Sequence, residues 1–296
     1  MDYRDTSFPV IHSYLKMQRY FIYLSFNGAQ YHGWQIQPNA PSVQETLQRA
    51  LSTLLRTPTG VVGAGRTDTG VHAAFYVAHF DVVEPLADTQ RFCYHLNAIL
   101  PADIAVQRVR RVSDEAHARF DATEREYKYY VSPQKDPFSH DVTYQLIMPL
   151  DLEKMNCAAQ ALLGEQLFTS FSKLHSGNKT DLCCVTKAEW NEVDGRYVFT
   201  IAADRFLRNM VRAIVGTLIE VGRGKRSVEE FKAIIDGRDR ALAGTSIFHM
   251  YFNASRLIIL LNDKVIITFD MERSNPCITI QSKRCVIIIT TSSCRK

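Results

Sequence analysis

The chain has 296 residues, of which 46% are hydrophobic and 22% charged, an ordinary globular composition with enough length for one large or two modest domains around a buried core. Its 7 cysteines form no C-x-x-C pair, which argues against zinc and thiol-redox motifs, and residues 1–18 hold no apolar run long enough for a signal peptide or membrane span, so a soluble cytoplasmic protein is expected. The net charge of +4 suits a polyanionic partner without requiring one.

Arg19 to Phe26 is rich in aromatic and β-branched residues and closes at Asn27-Gly28, which predicts a strand running into a turn. Ser42 and Glu45 form a capping-box pair ahead of an apolar stripe of Val43, Leu47, Ala50, Leu51 and Leu54, which predicts a helix. Val61-Val62 and Ala73 to Val82 read as strands. They flank a loop punctuated by Gly63, Gly65 and Gly70 that carries Arg66, Asp68 and His72. A helix from about Asp88 to Ile99 stops before Pro101, and strands follow at Ile104 to Val112 and Tyr127 to Val131.

In the second half, Leu152, Met155, Ala159 and Leu162 mark a helix that ends at Gly164. Cys184 to Trp190 and Arg196 to Ala202 predict a hairpin turning at Asp194-Gly195. Asp204 to Val221 is expected as a long helix with a stop at Gly222, and Ser227 to Ile235 as another with its own capping box. Antiparallel strands and helices in both halves give an α+β protein. The expected divisions are an N-terminal extension (1–18), a subdomain carrying Asp68 (19–135), a second carrying Arg212 (136–246) and a tail of different composition (247–296).

Three features carry candidate chemistry. Asp68 sits two residues from Arg66 in a glycine-rich loop, which favours its ionised form and suits a nucleophile or base; a turn aspartate serving local backbone N–H groups has the same appearance. Arg208 and Arg212, four apart on the expected helix, would share one face, and the apolar neighbours of Arg212 suggest partial burial against an anion. The arginine-rich stretch also contains Arg205. Tyr127, Tyr129 and Tyr130 alternate with Arg125 and Lys128, a pattern open either to base stacking beside phosphate contacts or to a sheet core.

Several blocks together resemble the tRNA pseudouridine synthase A family: Tyr31-His32-Gly33-Trp34-Gln35, Gly65-Arg66-Thr67-Asp68-Thr69-Gly70-Val71-His72, His95-Leu96-Asn97-Ala98, Ala118-Arg119-Phe120, Arg125-Glu126-Tyr127 and Phe206-Leu207-Arg208-Asn209-Met210-Val211-Arg212. The resemblance runs from about Tyr20 to Ser246. It implies two α/β subdomains with mainly antiparallel sheets flanking an RNA-binding cleft, and isomerisation of uridine to pseudouridine at positions 38 to 40 of the tRNA anticodon stem-loop, with no cofactor and no metal. It further implies Asp68 as catalytic carboxylate, Tyr127 against the flipped base, and Arg212 paired with Asp68. Arg66 would fill the space the extruded base leaves. Arg205, Arg208 and Lys128 are expected as RNA contacts, and a homodimer spanning one tRNA as the working unit.

After Ser246 the resemblance stops, and the tail is heavy in Ile, Thr, Ser and Cys, as an altered reading frame or a lineage-specific extension would produce. Segments such as Leu257 to Leu261 and Val286 to Thr290 are expected to pair with an open sheet edge or to promote aggregation. Two other functions fit the sequence less fully: a noncatalytic RNA-binding or RNA-folding protein on the same scaffold, which would bind tRNA without forming product, and a small-molecule enzyme with an aspartate nucleophile, for which no second catalytic carboxylate or phosphate-binding glycine motif is evident.

Overall fold

The computed structural model describes residues 17–174, 177–247, 252–261, 265–267, 280–282 and 285–287. Up to residue 16, the expected N-terminal extension lies outside them, as do the last residues of the segment Val286 to Thr290.

The first half forms β1 (Gln18–Phe26), α1 (Val43–Leu55), β2 (Val62–Gly63), β3 (Ala73–Val82), α2 (Thr89–Ile99) and β4 (Ile104–Arg111). These four strands make one antiparallel sheet in the order β2-β3-β1-β4, with Tyr23 opposite both Val77 and Arg108. Period-two alternation sends β1 side chains to two different cores. Ile22, Leu24 and Phe26 pack with Leu47 and Leu51 of α1 and Leu96 of α2. On the other face, Phe21, Tyr23, Phe75 and Val77 lie against Ala116, Ala118 and Ala122. Both helices begin at side-chain caps: Ser42 accepts from the Glu45 N–H at 3.3 Å, and Asp88 from Gln90 and Arg91 at 2.9 and 3.0 Å.

The second half contains β5 (Ala122–Ser132), β6 (Tyr144–Gln145), α3 (Leu152–Ala159), β7 (Gly164–Leu167), β8 (Leu182–Val193), β9 (Arg196–Ala203), α4 (Met210–Gly222) and α5 (Val228–Gly237). Beyond these lie β10 (Phe252–Leu261), β11 (Val265–Ile267), and the separate pair β12 (Ile280–Ser282) and β13 (Cys285–Ile287). The large sheet runs β11-β10-β5-β9-β8-β7, with β6 parallel to β5. The β8–β9 hairpin turns where expected, because Asp194 and Gly195 both take positive φ (51° and 71°), the two-residue turn whose twist matches the strands. Met155, Phe171, Phe199, Ile214, Leu218 and Phe231 fill the core between this sheet and its helices. The α+β class with mainly antiparallel sheets is therefore the fold observed.

Two details differ from the sequence reading, the sheet that β5 joins and the start of the long helix, while the expected pairing of Leu257 to Leu261 with a sheet edge is formed. Although β5 lies before residue 135, it is hydrogen-bonded between β9 and β10 in the second sheet. Its free edge is taken by β10, which places Ala254 opposite Tyr127 and includes Leu257 to Leu261. The long helix begins at Met210 rather than Asp204, for two physical reasons. The Asp204 carboxylate accepts from the Cys184 and Arg205 N–H groups at 2.8 and 2.7 Å, holding a turn, and Asn209 takes a left-handed φ of 66° that a continuing helix does not permit.

Candidate active site

The loop between β2 and β3 is fixed at almost every residue except the side chain of Asp68. The Ala64 N–H donates to the Val77 carbonyl at 2.9 Å, and the Tyr76 hydroxyl engages both backbone groups of Gly65. The Trp34 N–H donates to Thr67 Oγ1 at 3.0 Å, and the Gly70 N–H to the Tyr31 carbonyl at 3.2 Å. This gives the Tyr31-His32-Gly33-Trp34 block its physical role, which is to brace the Asp68 loop from behind. Gly33 is required there twice over: its φ is +91°, and a Cβ would stand 2.2 Å from the Thr67 carbonyl oxygen.

Asp68 is half-buried, and among the described residues its carboxylate has no hydrogen bond or ion pair. It faces a cleft of about 700 Å³ between the two sheets. The same cleft is lined by Arg66, Arg119, Arg125, Arg205, Arg208 and Arg212, and Asp68 is the one carboxylate among its lining residues.

The opposite wall comes from β5 and the start of α4. Arg212, in the first turn of α4, is 8% exposed, and its Nη2 donates to the Thr69 carbonyl at 2.9 Å. A buried cation in the first turn opposes the helix dipole, so packing and propensity alone would not choose arginine there. The expected Asp68–Arg212 ion pair is not formed among the described residues: Arg212 reaches the loop one residue past Asp68, at the backbone. The shared helical face of Arg208 and Arg212 is also corrected, because Arg208 precedes the helix. It is exposed, while still lining the cleft.

Tyr127 lines the cleft edge-on to Phe206, with ring centroids 5.0 Å apart and planes at 87°. Burial first, and the Asp68 charge further, push its hydroxyl pKa up to about 12, although Arg125 opposes the shift. The hydroxyl is thus a neutral phenol at neutral pH. Arg66 is exposed on the loop, and Arg205 donates to the Thr180 carbonyl at 3.2 Å beside the cleft. Lys128 stands apart: one step beyond Tyr127 on β5, it turns to the other sheet face and is absent from the lining. Tyr129 is buried in the core.

Two groups take places that the sequence did not reveal. Arg125 donates to the carbonyls of Ala64 (3.1 Å), Arg119 (3.0 Å), Ala122 (3.2 Å) and Asp204 (2.6 Å), so one guanidinium joins the Asp68 loop to both walls. Burial lowers its pKa from the ordinary arginine value. Phe120 projects at the rim, 77% exposed. Both lie in the blocks Ala118-Arg119-Phe120 and Arg125-Glu126-Tyr127, where the sequence pattern marks the residues without revealing their contacts.

An α+β scaffold that sets a lone carboxylate among arginines in a cleft defines an enzyme class suited to a polyanionic substrate. Comparison with known proteins then narrows it. A family model described as tRNA pseudouridine synthase matches residues 22–121 and 158–249. The tRNA pseudouridine synthase A of Bacteroides thetaiotaomicron is 58% identical over 233 residues, covering 78% of this chain and 86% of that protein. The protein of the same name from Bacteroides fragilis is 56% identical over 233 residues, covering 78% and 92%, and that from Bacillus subtilis is 38% identical over 226 residues, covering 75% and 91%. The chain belongs to the tRNA pseudouridine synthase family, whose members are isomerases.

Proposed function

We propose that the protein converts uridine to pseudouridine at positions 38 to 40 of the tRNA anticodon stem-loop, with Asp68 as the reacting carboxylate. The observation that carries this reading is the lone Asp68 carboxylate, without a protein partner among the described residues, facing a cleft walled by six arginines. A strand of phosphates is the polyanion that a cleft lined by these arginines suits, and a nucleotide turned out of the helix brings uridine to the carboxylate.

The isomerisation balances without an external reactant. The N1–C1′ bond breaks, a C5–C1′ bond forms, C5 gives up its proton and N1 ends protonated. Asp68 serves by attack at C1′, by attack at C6, or by assisting a glycal route, and all three begin from its ionised form. Tyr127 packs against the base. Because its phenol keeps its proton at neutral pH, it takes the C5 proton only by relaying its own to another acceptor. Arg212 holds the loop through Thr69, Arg66 occupies the space left by the flipped base, and Arg205 and Arg208 meet phosphates. Lys128 contacts RNA in this reading only outside the cleft.

The same reading takes two α+β halves, one bearing Asp68 and one bearing Arg212, as the walls of the site, and a cytoplasmic homodimer binding one tRNA across both subunits as the working form. Among the described residues no helix is long and apolar enough to cross a membrane. The test is to incubate the protein with unmodified tRNA bearing uridine at positions 38, 39 and 40 and to map pseudouridine by position. Product at these sites supports the proposal. Tight binding without product would favour a noncatalytic RNA-binding role.

A further inference from the structure

Phe120 is a large apolar side chain left 77% exposed, at the rim of a cleft that is otherwise strongly cationic. Solitary exposed apolar residues are common, but this one is held in place rather than left loose. Its ring stacks on His117, with centroids 4.2 Å apart and planes at 27°. Nδ1 of His117 accepts from the N–H groups of both Arg119 (3.1 Å) and Phe120 (3.2 Å). The neighbouring backbone is fixed as well: the Ala118 N–H donates to His79 Nδ1 at 3.1 Å, the His117 N–H to the Asp121 carboxylate at 2.7 Å, and Arg125 donates to the Arg119 carbonyl at 3.0 Å.

We propose that Phe120 is a stacking platform for a second, unpaired nucleobase of the RNA, bound at the mouth of the cleft while the target uridine lies deeper beside Asp68 and Tyr127. This deepens the functional reading above and rests on it. A rigid ring whose outer face is open can cover a base without first losing conformational freedom, and aromatic stacking accepts any base because every base has a π-face. The adjacent cleft arginines Arg66 and Arg119 supply cations for the flanking phosphates. The base-bearing segment is therefore single-stranded at this point, as a loop nucleotide is.

The test compares the full-length wild-type protein with Phe120→Ala and Phe120→Trp, using unmodified tRNA. The proposal predicts that Phe120→Ala raises Kd and KM together by about 10-fold or more, while kcat and the thermal midpoint stay near wild type because the ring is exposed. Phe120→Trp restores affinity, and its indole fluorescence is quenched on adding RNA. The native Trp34 and Trp190 are 1% and 2% exposed and give a constant background. Unchanged Kd and KM in Phe120→Ala, unquenched fluorescence, or weaker binding accompanied by a lowered thermal midpoint or an altered oligomeric state would each overturn the platform. A wild-type protein that forms no pseudouridine overturns the functional reading alone, since the Kd and quenching measurements still decide the role of Phe120.

Discussion

Arg212 and Thr69, 143 positions apart in sequence, are joined by a hydrogen bond of 2.9 Å from the guanidinium to the backbone carbonyl. Through it the first turn of α4 grips the loop immediately after Asp68, so the two halves of the chain meet beside that carboxylate. Arg212→Ala removes the donor and leaves that carbonyl in a partly buried place. The expected loss is about 1–3 kcal/mol of stability together with a fall in kcat on the order of 100-fold. Arg212→Lys, which keeps charge without the planar fork, should recover stability more than rate. Chemical denaturation and single-turnover rates on the same preparations check both.

Gly33 tests whether the loop must be braced from behind. A side chain at φ +91°, with its Cβ 2.2 Å from the Thr67 carbonyl oxygen, forces the brace and the loop apart. Gly33→Ala should cost about 1–3 kcal/mol and lower kcat, although position 33 carries no chemistry. A variant with wild-type rate and stability would show that the loop holds its shape without the brace.

Acid should unfold the protein by an identifiable route. His72, His79 and His117 each accept a backbone N–H through Nδ1, from Gly28, Ala118, and Arg119 with Phe120 respectively. All three pKa values are lowered, and burial first and the Arg19 charge next bring His79 to about 4. The unfolded chain therefore binds more protons than the folded one between the ordinary histidine value and about 4. Stability is fully present above pH 6.5 and is lost as pH falls toward 4, with His79 alone contributing on the order of 2–3 kcal/mol. Urea midpoints at pH 7, 5.5 and 4.5 should fall in that order, and more gently in His79→Asn.

RNA affinity should fall steeply with salt. Each phosphate neutralised contributes roughly 0.7 to 0.9 to the log–log slope. Arg208 is exposed, lines the cleft and has no side-chain partner among the described residues, so Arg208→Ala should lower the slope by about 1 without changing stability. Lys128→Ala should leave the slope unchanged if RNA keeps to the cleft, because Lys128 is on the other sheet face.

Local chemistry made much of this fold legible in the sequence. The turn at Asp194-Gly195 and the capping box of Ser227 with Glu230 are each settled within a few residues and form as read, whereas of the box expected for Ser42 with Glu45 only the bond from the Glu45 N–H to Ser42 forms among the described residues. The start of α4 was not legible, because Leu207 and Met210 keep helical spacing across a loop that Asp204 and Asn209 create by hydrogen bonding and a left-handed backbone. The bridging contacts of Arg125 were hidden for a different reason: its carbonyl partners Ala64 and Asp204 lie 61 and 79 residues away, and nothing in strand periodicity encodes them. The site followed the same division. The motif blocks marked Asp68, Tyr127 and Arg212 as belonging together, whereas the contact from Arg212 to a carbonyl instead of the carboxylate depends on tertiary placement.

The central claim is that Asp68 acts in bond rearrangement and not in holding RNA. Measuring pseudouridine formation and tRNA affinity side by side for wild type and Asp68→Asn tests it most directly. The account predicts a rate lowered on the order of 10⁴-fold or more, with Kd and thermal midpoint close to wild type, since among the described residues the carboxylate has no hydrogen-bond or ion-pair partner to lose. A variant that still forms pseudouridine at a comparable rate, or whose lost activity is explained by lost binding, would contradict it.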